Sequence, residues 1–160
     1  MGKLIVRIAS LLLIAAFLPT AVLAAEWNLE NGSIEITAAA NADGGTTQTV
    51  SQGGGSGVED SNPIITNSNQ TSNTVTIKAE KDTTANVTIK DTNIDTSGTD
   101  KAAIKTEGDG NVNLNVEGTN TVSSGKYHAG VEKTNDGNLT IGSESGNGKL
   151  TANGGQFGAG

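Results

Sequence analysis

The strongest constraint on the fold is an internal repeat in the second half of the chain. Residues 86–110, 111–137 and 138–160 each begin with an asparagine, which is followed by an apolar–polar–apolar triplet. A second and a third short apolar element follow in each unit. Repeats of this length are typical of a solenoid, because one unit cannot bury its apolar face alone and neighbouring units must stack.

The apolar elements indicate very short strands, since they alternate with polar residues and are bounded by Gly, Asn, Asp and Ser. Stacked strands of successive coils would pair in parallel, about 4.8 Å apart. The sequence therefore predicts an all-β fold, a right-handed parallel β-helix. The aligned triplets are Val87-Thr88-Ile89, Val112-Asn113-Leu114 and Leu139-Thr140-Ile141; the second elements are centred on Ile94, Val122 and Leu150; the third elements are Ala102–Ile104, Ala129–Val131 and Ala159–Gly160.

The region before the repeats is less regular. Residues 33–37 predict an edge strand, 39–60 predict a loop, and 74–78 predict the first complete rung. We expect residues 25–72 to form an N-terminal cap and loop region that covers the end of the solenoid. Residues 73–160 are then the coils, and the chain is expected to be C-terminally truncated because it stops partway through a third strand.

The first residues predict export. A short basic start precedes an apolar run over 8–18, and small residues follow, with Val22 at −3 and Ala24 at −1 of a cleavage site. This pattern predicts a signal peptide over 1–24, cleaved after Ala24 or Ala25, and a secreted or cell-surface protein. The alternative is an uncleaved anchor, although the run is shorter than the ~20 residues that a spanning helix needs. After cleavage we expect no membrane span.

The charge of the chain and its lack of cysteine exclude some classes of function. Cleavage removes Lys3 and Arg7, two of the ten basic residues, so that eight lysines face seventeen acids and the formal charge is −9. An acidic chain without arginine repels phosphate backbones, so we expect no nucleic-acid partner. The absence of cysteine excludes disulfides and thiolate chemistry.

The repeated asparagines Asn86, Asn111 and Asn138 are predicted to stack, one per rung, in a side-chain ladder. Two of them also begin Asn-x-Thr sequons, which end at Thr88 and Thr140. Glycosylation is the alternative interpretation, but the ladder accounts for all three positions.

An Asp-Gly-Asn turn occurs twice and suggests a metal site. Stacking would place Asp109 and Asp136 about 5 Å apart, where two carboxylates repel each other unless solvent or a cation intervenes. Ca²⁺ accepts carboxylate and turn-carbonyl oxygens, so these two residues are the candidate calcium ligands. The alternative is a solvated turn, since Asp-Gly is a common turn pair.

The loop before the third element carries the aromatic residues of the repeats. In register, Tyr127 would lie over Phe157, and exposed rings of this kind can bind the apolar faces of sugars. Lys126, His128 and Gln156 could bond sugar hydroxyls. These five residues are the candidate carbohydrate site, and the alternative is an aromatic pair that covers the edge of the coil.

No catalytic residues are predicted. His128 is the only histidine, there is no cysteine, and the chain has no arginine after signal-peptide cleavage. Most mechanisms of nucleophilic catalysis therefore lack one of the residues they need. Lys105 and Glu132 are expected to form a surface ion pair between neighbouring rungs.

The rung motifs Asn86–Lys90 and Gly137–Ile141, with the Gly/Ala stretch from Lys149 to Gly160, resemble exported bacterial carbohydrate-binding-domain proteins of a β-helical, polysaccharide-lyase-like type. The resemblance covers residues 30–160 and concerns coil-building positions. It implies binding of plant cell-wall or acidic polysaccharide at the cell surface, with calcium as a cofactor.

The expected function is therefore a non-catalytic polysaccharide-binding surface module. Two alternatives remain open: an adhesin or structural stalk, which needs no site, and a fragment of a β-helical polysaccharide lyase. A lyase would need a basic residue that abstracts a proton and a cation that neutralises the substrate's carboxylates.

Overall fold

The computed structural model describes residues 24–159, so the signal peptide predicted over 1–24 lies outside the described residues except for Ala24. Within 24–159 no helix is both long and apolar enough to span a membrane. A 3-10 turn at Leu29–Asn31 follows the first strand. The strands are β1 (Glu26–Asn28), β2 (Ile34–Ala40), β3 (Thr46–Gln52), β4 (Val58–Glu59), β5 (Ile64–Thr66), β6 (Val75–Ala79), β7 (Thr84–Lys90), β8 (Asn93–Asp95), β9 (Ile104–Gly108), β10 (Asn111–Glu117), β11 (Thr119–Ser123), β12 (Val131–Lys133), β13 (Leu139–Gly142) and β14 (Lys149–Asn153).

The strands form three sheets that run along the stacked coils. Sheet A has the order β1-β5-β7-β10-β13, sheet B has β12-β9-β6-β2-β3-β4, and sheet C has β14-β11-β8. All neighbours pair in parallel except β2–β3 and β3–β4, which are antiparallel. The coils make a solenoid of about three turns, so the predicted parallel β-helix is confirmed.

The register between β7 and β10 differs from the predicted alignment by two residues, whereas the predicted alignment of β10 with β13 is confirmed. The steps from β7 to β10 and from β10 to β13 each advance 27 residues, so that Asn86 lies beside Asn113 and Asn111 beside Asn138. The predicted three-membered asparagine column is therefore wrong at Asn86, whose place is taken by Thr84. A two-residue shift leaves the inward and outward alternation of a strand unchanged, so the apolar pattern could not reveal it.

On sheet C the predicted alignment of Ile94 with Val122 is confirmed, and a two-residue shift occurs between β11 and β14. Val122 pairs with Ala152, whereas Leu150, its predicted counterpart, pairs with Asn120. On sheet B the predicted alignment is confirmed, since Val131 pairs with Ile104.

The predicted inward positions of the middle coils form the core. Val87, Ile89, Ile94 and Ile104 are at most 1% exposed, and Leu114 on the next rung is equally buried. Burial of aliphatic side chains of this size contributes about 1.5–3 kcal/mol each. With no disulfide present, this apolar column and the ladder hydrogen bonds hold the coils together.

The N-terminal region contains more strand than predicted. Residues 39–60, expected to be a loop, include β3, which pairs along its whole length with β2. For this reason β2 is an interior strand between β6 and β3, not the expected edge strand. The sequence of β3 is mostly Thr and Gln, which suit a pleated surface but carry no apolar alternation.

Gln48 of β3 completes the backbone pairing at this end of sheet A. Strand β5 covers only the last part of β7, from Thr88 onward, so Asn86 has no strand on that side. The buried Gln48 amide bonds both backbone groups of Asn86: its Oε1 accepts from N at 2.8 Å and its Nε2 donates to O at 2.9 Å. The Gln48 side chain thus takes the place of a neighbouring strand and satisfies both the backbone N–H and the backbone carbonyl of Asn86.

Buried asparagines, at positions the sequence did not indicate, link the coils. Asn120 is fully buried; its Oδ1 accepts from the backbone N and Oγ1 of Thr92, at 2.9 and 2.8 Å. Its Nδ2 donates to the carbonyl oxygens of Glu117 and, on the next coil, Lys149. One side chain therefore joins three consecutive coils.

Candidate functional site

Tyr127 and Phe157 stack on each other, as the sequence predicted. Their ring centroids are 5.6 Å apart and the ring planes differ by 17°. The residues are 61% and 74% exposed, although each ring covers one face of the other. A ligand would therefore meet the outer ring faces and the ring edges, so the pair forms a small exposed apolar strip.

Both aromatic residues have a left-handed backbone, with φ of 67° at Tyr127 and 71° at Phe157. This conformation costs about 1 kcal/mol or more for a residue with a side chain, and glycine would avoid the cost. Stacking of the two rings offsets this cost by about 0.5–1.5 kcal/mol. Folding stability alone therefore gives little reason for two exposed aromatic side chains at these positions.

A pair of glycines sets the close stacking of the two aromatic loops. A Cβ on Gly125 would lie 2.0 Å from the carbonyl oxygen of Thr99, and one on Gly155 would lie 1.9 Å from the carbonyl oxygen of Gly125. The backbone N of Tyr127 also donates to the carbonyl of Gln156 at 3.0 Å. The loops are thus held one rung apart, which brings the two rings into contact.

Lys126 places a positive charge beside the rings. Its Nζ lies 4.7 Å from the ring centroid of Tyr127 and 5.8 Å from that of Phe157. Exposed cation–π contacts of this kind contribute about 0.5–1 kcal/mol. The ammonium group keeps access to solvent, since Lys126 is exposed.

A polar cleft of about 620 Å³ adjoins this corner. Two of the predicted residues, Lys126 and Gln156, line it. The other lining residues were not predicted, and they come from outward positions of sheet C and the turns that follow it: Asp95, Ser97, Ser123, Ser124, Asn153, Gly154 and Gly155.

The register of sheet C aligns the polar groups of the cleft. Asp95, Ser123 and Asn153 occupy successive rungs, and Asn153 Nδ2 donates to Ser123 Oγ at 3.1 Å. Hydrogen bonds from the side chain and backbone of Ser97 lower the pKa of Asp95 below its ordinary value. The cleft therefore offers a carboxylate, an amide and hydroxyls within reach of one ligand. The predicted alignment of Ile94 with Val122 already implied that Asp95 lies beside Ser123, and only the shift between β11 and β14 adds Asn153.

His128 belongs to a different groove. Its Nδ1 lies 2.5 Å from Glu132 Oε2, and its Nε2 lies 3.5 Å from Asp100 Oδ1. With Lys105 and residues of β6 and β9 it lines a groove of about 410 Å³ beside sheet B. The structure thus brings Lys126, Tyr127, Gln156 and Phe157 together at one corner and directs His128 away from them.

The predicted ion pair between Lys105 and Glu132 is not formed, although the two residues lie on neighbouring rungs as expected. Lys105 Nζ instead bonds Glu107 Oε1 at 2.8 Å, and Glu132 contacts His128. The pKa of Lys105 is raised, chiefly by this hydrogen bond; burial opposes the rise, and the charges of Glu107 and Glu132 add to it. Lys105 therefore pairs with Glu107, two residues along on the same face of its strand, and not with Glu132 on the neighbouring rung.

Asp109 and Asp136 lie in successive turns, and both are exposed. The backbone N of Asp136 donates to the carbonyl of Gly108 at 2.9 Å, so the two turns are one rung apart. Between residues 24 and 159 no group of three or more His, Cys, Asp or Glu side chains is placed to hold a metal ion. The calcium site stays a prediction that would depend on turn carbonyls and water for its remaining ligands.

Comparison of the chain with protein-family models, with curated proteins and with solved structures yields no match. The class that the structure itself defines is a parallel β-solenoid with an antiparallel hairpin at its N-terminal end. The resemblance noted in the repeats therefore stays a prediction, and a function must be argued from the site.

Proposed function

We propose that this chain is a non-catalytic polysaccharide-binding module that binds its ligand at the Tyr127–Phe157 pair and the adjoining polar cleft. One observation carries the proposal: two exposed aromatic rings are held in contact on adjacent coils by a left-handed backbone that stability does not favour. Strained positions of this kind are concentrated at ligand-binding sites.

The chemistry of the corner suits a sugar chain. The ring edges and outer faces offer apolar surface to the C–H face of a pyranose, and the cleft offers donors and acceptors to its hydroxyls. Ligand sites typically combine an apolar platform with a few convergent polar groups. Since the repeats place this surface along the solenoid, a polysaccharide fits better than a single sugar.

Charge favours a neutral polysaccharide. Within the cleft Asp95 offsets Lys126, and the mature chain carries a formal charge of −9. An acidic polysaccharide would be repelled unless a cation intervened. The candidate calcium ligands Asp109 and Asp136 lie in the turns after sheet B and do not line this cleft. Calcium there would bind an acidic polysaccharide only where the sugar chain extends beyond the cleft.

The test is retention of the secreted protein on insoluble neutral and acidic polysaccharides. Tyr127→Asn with Phe157→Asn removes both rings, and asparagine adopts the left-handed conformation more readily than alanine does. We expect at least about tenfold weaker retention, equivalent to the loss of about 1.4 kcal/mol of binding free energy. Val58→Asn, which changes an exposed apolar residue of β4, is the matched control and should bind normally.

Unchanged retention by a folded double variant would contradict the proposed site. Binding to acidic polysaccharide should be lost in EDTA and in Asp109→Asn if calcium contributes; a loss in neither case removes calcium from the proposal. Retention on no polysaccharide would favour the adhesin or stalk.

Release of unsaturated sugar would favour the lyase, and His128 would then be the residue to replace first. Its contact with Glu132 leaves the other ring nitrogen facing the groove beside sheet B. Of the two lysines that line this groove, Lys105 is held by Glu107, which leaves Lys101 as the candidate for binding a substrate carboxylate.

A further inference from the structure

Asp60 is an acid at the N-terminal end of the solenoid that is almost completely buried, with 1% of its surface exposed. Its Oδ2 accepts hydrogen bonds from the backbone N of Ala25 at 3.1 Å and from Trp27 Nε1 at 2.9 Å. Its Oδ1 accepts from the backbone N of Asn62 at 3.1 Å. The proposed polysaccharide site does not use this residue.

The carboxylate of Asp60 has hydrogen-bond donors but no cationic partner. In the part of the chain that the structure describes, no lysine or histidine forms an ion pair with it. A buried carboxylate without a cation is costly, even when it is hydrogen-bonded. The nitrogen atom of Ala25 is the one contact whose charge can change, because the sequence predicts cleavage of the chain at this point.

The two predicted cleavage positions have opposite consequences for this contact. Cleavage after Ala24 converts the Ala25 nitrogen into an α-ammonium group at the position where it already contacts Asp60. Cleavage after Ala25 removes that nitrogen, and it also removes the Ala25 carbonyl, which accepts from the backbone N of Ile64 at 2.9 Å. The fold therefore uses both backbone groups of Ala25.

We propose that the Ala24–Ala25 peptide bond is the processing site and that the α-ammonium group released there forms a partly buried ion pair with Asp60. Water adds across the peptide bond: the C–N bond breaks, the Ala24 carbonyl carbon takes the oxygen and becomes a carboxylate, and the Ala25 nitrogen takes the protons and becomes an ammonium group. A leader peptidase supplies the catalysis. The new charge neutralises Asp60 and fixes β1 against β5.

The ion pair gives a defined pH dependence. An α-amino group has an ordinary pKa of about 8, and a carboxylate at hydrogen-bond distance raises that pKa in the folded protein. The ion pair therefore stabilises the fold fully below the unfolded value, and this stability is lost as the pH rises through the folded pKa. The charged residues next to Ala25 and Asp60 in the sequence are Glu26 and Glu59, both exposed; β5 carries no titratable side chain.

The first measurement is the intact mass and N-terminal sequence of the protein exported from a bacterial host that expresses the full chain. The expected N-terminal residue is Ala25. A mature protein that begins at Glu26, or farther along the chain, would overturn the proposal.

The second measurement tests the ion pair. The mature protein is compared with a form that carries Gly-Ser before Ala25, which moves the ammonium group away from Asp60. Trp27 is the only tryptophan and donates to the same carboxylate oxygen, so its fluorescence reports unfolding and the local environment together. At pH 7 the mature form should melt about 3–6 °C higher than the extended form, and the gap should close between pH 8 and 10.

In Asp60→Asn the mature and extended forms should melt at the same temperature. Equal melting temperatures of the two wild-type forms at all pH values would overturn the proposal, as would a gap that persists in Asp60→Asn. If Asp60→Asn does not fold, the pH dependence of the wild-type gap alone decides the outcome.

Discussion

The two ends of the solenoid bury the same kind of residue to very different extents. At the N-terminal end Ile36 of β2 is fully buried, because Val50 of β3 and Ile77 of β6 lie on its two sides. In the last described coil Ile141 of β13 also occupies an inward position, beside Leu114, yet it is 45% exposed. Burial in a solenoid is therefore supplied by the next rung as much as by the residue's own strand.

This difference also separates stability from the candidate site. The N-terminal end is held by the backbone pairing of β2 with β3, by the bonds from the Gln48 side chain to the backbone of Asn86, and by the bond from the Ala25 backbone N to Asp60. Tyr127 lies on a coil whose core residues are buried, whereas Phe157 lies on the last described coil, where Leu139, Ile141 and Leu150 are only partly covered. Regions with fewer buried contacts open more easily, so a ligand there would meet the more adaptable part of the fold.

The largest expected effect comes from shortening the two isoleucines. Ile36→Ala should lower the free energy of unfolding by about 3–4 kcal/mol, since it leaves a cavity between two rungs. Ile141→Ala should cost less than about 1.5 kcal/mol, because its side chain is already partly in water. Urea unfolding of the two variants measures the contrast. Similar losses would show that the last coil is covered in solution.

A smaller loss of stability is expected when Gln48 is replaced, since its side chain bonds the backbone of Asn86 where no strand lies beside it. Gln48→Ala leaves both backbone groups of Asn86 without a partner and should cost about 1–3 kcal/mol. Gln70→Ala is the matched control, since Gln70 is exposed and makes one long contact of 3.5 Å with Asn93. Amide exchange at Asn86 should also become faster in the first variant. If both variants unfold at the same urea concentration, Gln48 does not support the ladder.

The smallest expected effect is a pH dependence at the N-terminal end. Hydrogen bonds from the backbone and side chain of Asn69, and from the backbone of Ser68, hold the pKa of Glu30 below its ordinary value of 4.5. The stability they add is present above the unfolded pKa and is lost as the pH falls through the folded pKa.

Replacement by Glu30→Gln should therefore flatten the acid side of the stability profile slightly, measured as urea midpoints from pH 7 to 3. Glu35→Gln on β2 is the control, because the Glu35 carboxylate accepts no hydrogen bond from the described residues. A profile that Glu30→Gln leaves unaltered would mean that the 68–69 loop does not hold this carboxylate in solution.

Some features of the site were accessible from the sequence and others were not. The stacking of Tyr127 on Phe157 follows from the spacing of the two loops, and it is confirmed. The polar cleft was missed because Asn153 joins Asp95 and Ser123 only in the true register of β11 and β14, which differs from the predicted one by two residues. The orientation of the His128 side chain depends on its contact with Glu132. The spacing of residues in the repeats does not predict this contact.

The sequence by itself determined the fold class and which residues face inward. Period-two apolar alternation, repeated at a nearly constant interval, is compatible with stacked parallel strands and with little else. The tertiary structure alone decided the pairing of Asn86 with Asn113, the formation of β3 and the bond between Gln48 and Asn86. The physical reason is that a two-residue shift preserves every inward position, so the choice between registers depends on hydrogen bonds and turn contacts that exist only once the coils are stacked.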